Sequence, residues 1–227
     1  MKKIFSVVLL FIAISAAAEC LDAGFFSNTY SYVVSKDGLN YGCHAVRLNK
    51  DWFLTSAHCV MAAGNGESKI SFNGAPAVSA KIFINGNFID SVQTADDMAL
   101  IKADGILPVS AKSVTLVTFD NNSYRVKGTF SAAFVGANGV SVSCIKGASV
   151  YFSGTRDSVI SGFYLGGGYS GGGVWDENGN LMGIISGGGD GSFGYASFNA
   201  DNMNFIESRV SGLRTKEAKS YASVISD

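Results

Sequence analysis

Trp52-Phe53-Leu54-Thr55-Ser56-Ala57-His58-Cys59 is the stretch from which the rest of the chain can be read. An apolar, strand-forming run leads into a small-residue turn, a histidine and a cysteine. Histidine accepts a hydroxyl proton near neutrality because its unperturbed pKa is about 6.5. The chain holds two histidines, so the candidates for such a base are His44 and His58. A lone histidine is most often structural, and His58 gains weight only from what accompanies it.

Two other segments accompany it. In Asp96-Asp97-Met98-Ala99-Leu100-Ile101-Lys102 an acid precedes an apolar strand. A carboxylate buried there can hold an imidazole in one tautomer and stabilise its charged form. Asp97 adjoins the apolar run directly and is preferred to Asp96. In Gly166-Gly167-Gly168-Tyr169-Ser170-Gly171-Gly172-Gly173, glycines surround a serine. They permit a tight turn with amides pointing inward, a cradle for a developing oxyanion. Alone, the second segment is a common pattern and the third reads equally as a flexible Gly-rich loop.

Outward from these segments the chain reads as all-β. Runs rich in β-branched and aromatic residues recur at 30–34, 81–84, 114–117, 129–135 and 148–152. Asp37-Gly38, Asn73-Gly74, Asn85-Gly86, Asn138-Gly139 and Asn178-Gly179 supply turn signals between strands. This spacing fits a barrel or sandwich. A helix is expected only near the end, over 200–213. Ala200-Asp201-Asn202 would cap it, and Met203, Ile206 and Val210 fall on one stripe. The polar residues 214–227 read as a frayed tail. Residues 119–123 read as a linker between two halves.

Composition narrows the class. Of 227 residues 47% are hydrophobic and 15% charged, with net charge −1, 28 glycines and two prolines. The apolar fraction excludes a disordered chain, and the charge balance offers no footprint for nucleic acid. Met1-Lys2-Lys3, the apolar run 4–14 and the small residues 15–18 read as a secretory signal removed after Ala18. A membrane anchor fits less well, since the run is short for a span. A lipid anchor on Cys20 is disfavoured by Glu19. Stable membrane insertion is not expected once the signal is gone, and the product should be secreted or periplasmic. In that oxidising setting Cys20, Cys43, Cys59 and Cys144 suggest two disulfides, with three connectivities open.

Together the three segments resemble the chymotrypsin-like (trypsin-like) serine peptidase family. Besides the order His, Asp, Ser, the resemblance rests on Gly42-Cys43-His44-Ala45-Val46-Arg47-Leu48 with residues 52–59, and on the stretch 81–102. It also rests on Gly168-Tyr169-Ser170-Gly171-Gly172, on residues 180–188 and 194–198, and on the closing helix. It covers roughly residues 20–212. It implies two six-stranded antiparallel Greek-key barrels, over 19–118 and 119–199, followed by the C-terminal helix, with the site between the barrels. It implies a peptide-hydrolysing enzyme with Ser170 as nucleophile, His58 as general base and acid, and Asp97 as orienting carboxylate. The amides of Gly168 and Ser170 would form the oxyanion hole, and the Ser186 hydroxyl would support Asp97. Backbone from Ser186 through Gly187 to Gly188 would pair with substrate as an added strand. It further implies disulfides Cys43–Cys59 and Cys20–Cys144. The partner would be a protein or peptide substrate, with no cofactor or metal and a monomeric chain.

The pattern departs from the family in three places. Many members are activated when a freed N-terminal ammonium pairs with an aspartate just before the nucleophile; here Tyr169 takes that place. The activating cleavage would also fall inside the signal, so the enzyme is expected to be competent after export without such cleavage. Gly173 replaces a usual proline, and six glycines in the eight residues 166–173 suggest an oxyanion hole that tightens on substrate. Tyr164 takes the position that in the family lies at the base of the primary pocket, and no acid is there, so the resemblance does not support an Arg or Lys preference. Gly188 and Gly194 leave its walls open, and Asp190 lies near its rim; a neutral, small or apolar side chain is expected. Three rival readings stand beside this one. Zinc on Cys43, His44, His58 and Cys59 is disfavoured because neighbours on a strand point to opposite faces. A catalytically dead relative acting as a protein-binding module is kept open by Tyr169. A non-peptidase sandwich is disfavoured by the joint motifs. His44 is expected to be structural, and Trp52 and Trp175 to be core residues.

Overall fold

The computed structural model describes residues 20–89, 95–104, 113–119, 124–152, 158–161, 165, 168–189 and 191–218. The signal segment, Gly166, Gly167, Tyr164, Asp190, most of the expected linker and residues 219–227 lie outside them.

The first half is a closed barrel. Strands β1 (Thr29–Lys36), β2 (Leu39–Arg47), β3 (Trp52–Thr55), β4 (Gly66–Phe72), β5 (Val78–Ile84) and β6 (Ala99–Lys102) follow the order β1-β2-β3-β6-β5-β4, and β1 pairs with β4 to close it. Asp37-Gly38 and Asn73-Gly74 turn the chain between strands, each with both residues at positive φ, the conformation of tight hairpin turns. Tyr32, Val34, Phe53, Ile70, Phe72, Ile82 and Ile101 fill the interior, with Phe53 and Phe72 stacked 4.3 Å apart.

The second half is an eight-stranded sheet. Its strands are β7 (Thr115–Thr118), β8 (Tyr124–Gly136), β9 (Gly139–Phe152), β10 (Ser158–Ser161), β11 (Gly173–Asp176), β12 (Leu181–Gly189), β13 (Ser192–Ser197) and β14 (Arg214–Glu217). Their order is β11-β8-β9-β10-β13-β12-β7-β14, and the sheet curls until β11 pairs with β12 as well as β8. Phe130, Val150, Ile160, Val174, Ile185, Phe193 and Tyr195 pack inside it. A third core joins the halves: Val46, Leu54 and Leu100 of the first barrel meet Trp175, Leu181, Ile184 and Phe198 of the second. Helix α2 (Ala200–Glu207) seals this seam through Met203, Phe205 and Ile206.

Five expectations about boundaries are corrected. Residues 115–118 belong to the second sheet, where Leu116 and Val117 are buried. Phe119, the first residue of the expected linker, is buried and its N–H donates to Phe198 O. The helix ends at Glu207, and its cap is Asn199, whose side chain accepts from the Asn202 N–H. Val210 nevertheless stays buried, as the stripe requires. Residues 214–217 are a strand, paired in parallel with β7. An edge strand pairs its backbone while its side chains stay in water, so its composition reads as a tail.

Candidate active site

Strand β3 runs into the short helix α1 (Ala57–Val60), which delivers His58 at the seam. The turn is fixed by Ser56, whose hydroxyl donates across the seam to Ile185 O at 2.7 Å. Strand β6 begins just after Asp97, and the apolar run behind it leaves that carboxylate fully buried. Three donors satisfy it. The His58 backbone N–H reaches Oδ1 at 2.9 Å, the His58 ring Nδ1 reaches Oδ2 at 2.7 Å, and the Ser186 hydroxyl reaches Oδ2 at 2.5 Å. A buried carboxylate survives only with such partners. With Nδ1 committed to Asp97, the other ring nitrogen, Nε2, lies 3.6 Å from Cys59 Sγ, and the side chain remains one-third exposed.

Ser170 approaches from the opposite half. Its carbonyl accepts from the His44 N–H at 2.9 Å. The His44 carbonyl in turn accepts from the Thr55 hydroxyl at 2.6 Å, and Thr55 contacts the buried Tyr32 hydroxyl at 3.1 Å. Burial drives the Tyr32 phenol well above its ordinary pKa, so it stays neutral. Gly171 donates to Ile185 O, and Ile185 donates back to Gly172 O. Glycine is required at 171: φ is +81°, and a Cβ there would lie 1.9 Å from His44 O. The Ser170 hydroxyl donates to Ser186 O at 3.4 Å, a long contact. Ser186 therefore touches both Asp97 and Ser170.

Tyr169 packs edge-on against Phe134, with ring centroids 4.2 Å apart at 89°. His44, whose ring also meets that of Phe134 edge-on, is buried, and its Nε2 lies 3.0 Å from Val135 O. Burial lowers its pKa. Phe134 went unnoticed in the sequence because it sits in an ordinary strand run, and only the register of β8 brings it to the nucleophile loop.

Gly187 and Gly188 lie on β12 and Gly194 on β13, where Gly187 pairs with Gly194. A cavity of about 70 Å³ beside Ser170 is lined by Leu165, Gly168, Tyr169, Ile185, Gly187 and Gly188. A Cβ added at Gly188 would lie 3.0 Å from Leu165 O and 3.2 Å from Phe193 Cβ, so the position leaves little room for a side chain. Tyr164 and Asp190 fall outside the described residues.

The cysteines form Cys43–Cys59 and Cys20–Cys144 disulfides. Cys43, His58 and Cys59 bring their donor atoms within 4.8 Å of one another, the kind of cluster that can hold a metal. The two sulfurs are bonded to each other, so neither offers a thiolate. Among the described residues no helix is long and apolar enough to cross a membrane.

Solved structures share this architecture. Tobacco etch virus protease, in complex with product, matches with a TM-score of 0.58 at 14% identity, covering 86% of each chain. A Glu endopeptidase matches with a TM-score of 0.56 at 21% identity, covering 81% of this chain and 90% of its own. The protease Anisep from Arthrobacter nicotinovorans matches with a TM-score of 0.54 at 18% identity, covering 80% of this chain and 94% of its own. The fold is that of the chymotrypsin-type serine proteases. The trypsin-like peptidase domain profile matches residues 33–184, more than half of the chain, and the chain belongs to that family.

Proposed function

We propose that this chain is an exported serine endopeptidase, secreted or periplasmic, that cleaves peptide bonds through an acyl-enzyme. The observation that carries this reading is the buried Asp97 carboxylate bonded to the His58 ring, with Ser186 linking it to Ser170. In this reading Asp97 holds His58 with Nδ1 protonated, leaving Nε2 to accept a proton. The Ser170 hydroxyl, lightly held at 3.4 Å, turns about χ1 toward His58. It attacks the scissile carbonyl as His58 takes its proton. The amides of Gly168 and Ser170 donate to the resulting oxyanion. His58 then protonates the departing amine, and water repeats the sequence to release the acyl group. The edge of β12 from Ser186 to Gly188 pairs with the substrate backbone.

The side chain taken into the primary pocket is neutral and small, because the cavity beside Ser170 is small and its described lining carries no charge. The enzyme needs no N-terminal activation: position 169 carries an aromatic ring anchored on Phe134 rather than a carboxylate that requires an ammonium partner.

The test is a fluorophosphonate probe applied to purified protein lacking residues 1–18, with the modified residue mapped. Labelling of Ser170 without prior clipping, abolished in Ser170→Ala, is expected. Protein that stays silent until clipped near its N-terminus would overturn the activation claim. Protein never labelled would overturn the enzyme and leave a protein-binding module. A peptide-library profile dominated by basic residues would overturn the pocket assignment.

A further inference from the structure

The strongest unassigned polar cluster lies away from Ser170, where α2 meets the turn that carries Asp97. Asn202 is fully buried in the first turns of α2. Its side-chain amide donates to Ala95 O at 2.6 Å and to Ser197 O at 2.7 Å. Its Oδ1 accepts from the Asn85 side-chain amide at 2.9 Å. Asn85, itself buried, uses its backbone N–H to hold Met98 O at 3.0 Å. The two asparagines thus grip the segment 95–98 at both ends, with Asp97 between the grips. Within the segment the Met98 N–H donates to Asp96 O at 2.6 Å, closing a tight turn.

We propose that Asn202 is a positioning residue for Asp97, with α2 acting through the Asn202–Asn85 bracket to set where the carboxylate meets the His58 ring. This rests on the catalytic reading above. The chemistry of the bracket fits the task. Both amide hydrogens of Asn202 are used, and both donate to backbone carbonyls, so the group fixes main-chain position rather than a mobile side chain. A buried asparagine with both donors committed has no second arrangement of equal energy. Asp97 is reached by no flexible tether either: its own donors, the His58 N–H, the His58 ring and Ser186, come from two other elements. A shift of the turn would therefore lengthen all three contacts together.

Fluorophosphonate labelling of Ser170 as a function of pH reads this without a known substrate. In Asn202→Leu the plateau labelling rate should fall about 10- to 100-fold, the loss expected for misplacement on the order of 1 Å. The acid limb should move to lower pH, because His58 loses the carboxylate that stabilises its protonated form. Asp96 on the same turn and Asp201 facing it from α2 remain in place in the variant. Simple destabilisation would move the limb the opposite way, since a weaker fold fails earlier in acid. Arg209→Ala is the control: it removes a contact to Phe205 O and ring packing at the far end of the same helix, lowering the Tm with the limb unmoved. Should Asn202→Leu not fold, Asn85→Ala carries the test, since it strips the donor from Asn202 Oδ1 while its backbone bond to Met98 stays. It should shift the limb in the same direction by less, and weaken the low-field proton signal of His58 Nδ1–H. Variants that keep the parental plateau and limb would overturn the positioning role while leaving the catalytic reading intact. A parent protein that is never labelled would overturn both.

Discussion

His58 holds Asp97 twice, through its backbone N–H to Oδ1 at 2.9 Å and through its ring Nδ1 to Oδ2 at 2.7 Å. One residue thus fixes both oxygens of a fully buried carboxylate, and the ring cannot rotate without breaking its hydrogen bond to that carboxylate. Asp97→Asn keeps the shape but presents an amide where the ring needs an acceptor. The labelling or turnover rate at neutral pH should fall by about 10⁴-fold with the fold retained. Circular dichroism beside rate measurements checks this, and a loss under tenfold would contradict the assigned role.

Gly171→Ala should abolish folding or activity. The added methyl meets His44 O at 1.9 Å and Thr55 Oγ1 at 2.5 Å, and φ is +81°. Both neighbours belong to the hydrogen-bonded chain under the nucleophile, so relief would displace Ser170. A cost above about 3 kcal/mol is expected from clash and strain combined. Urea unfolding reads it directly.

The Cys20–Cys144 disulfide spans 124 residues and pins the N-terminal segment to β9. Asp22 there caps a 3-10 turn over Ala23–Phe26, and Phe26 packs edge-on against Trp175. Cys20→Ser with Cys144→Ser should lower stability by about 2–5 kcal/mol. The bond joins no residue of the site, so labelling of the folded fraction should persist. Equilibrium unfolding of the double variant, beside the parent with and without reductant, checks both parts.

Acid should weaken the fold through His44. Burial lowers its pKa below the ordinary value near 6.5, so the unfolded chain binds the proton more readily than the folded one. Stability from this group is complete above the unfolded pKa and declines as pH falls through it. His44→Phe, which keeps an aromatic ring beside Phe134, should flatten the pH dependence of the unfolding midpoint between about pH 7 and 5. An unchanged slope would mean that another group sets it.

The β runs and turn pairs were legible because hairpins write themselves locally. Asp37-Gly38 and Asn73-Gly74 adopt the positive-φ turns that their residues favour. The strand β14 was not, since Arg214-Thr215-Lys216-Glu217 buries little and is ordered by the edge of β7. The helix cap at Asn199 was missed by a residue or more, because capping depends on backbone geometry as much as on residue type.

The three segments of the site were visible in the chain as residue types whose chemistry is fixed by covalent structure: an imidazole, a carboxylate and a hydroxyl among glycines. So were the cysteines; their pairing, left open by the residues alone, is the one the family resemblance implies. Their meeting was a matter of tertiary structure alone. Asp97 and His58 are 39 residues apart, and Ser186 stands 89 from Asp97. Only closure of one barrel and the curl of the second sheet bring these atoms within bonding distance. The same holds for the ring of Phe134 under Tyr169 and for Asn202 on Ala95 O, 107 residues away. Hydrogen bonds and ring contacts act over a few ångströms, and distance in space between remote residues is set by packing, which no local pattern encodes.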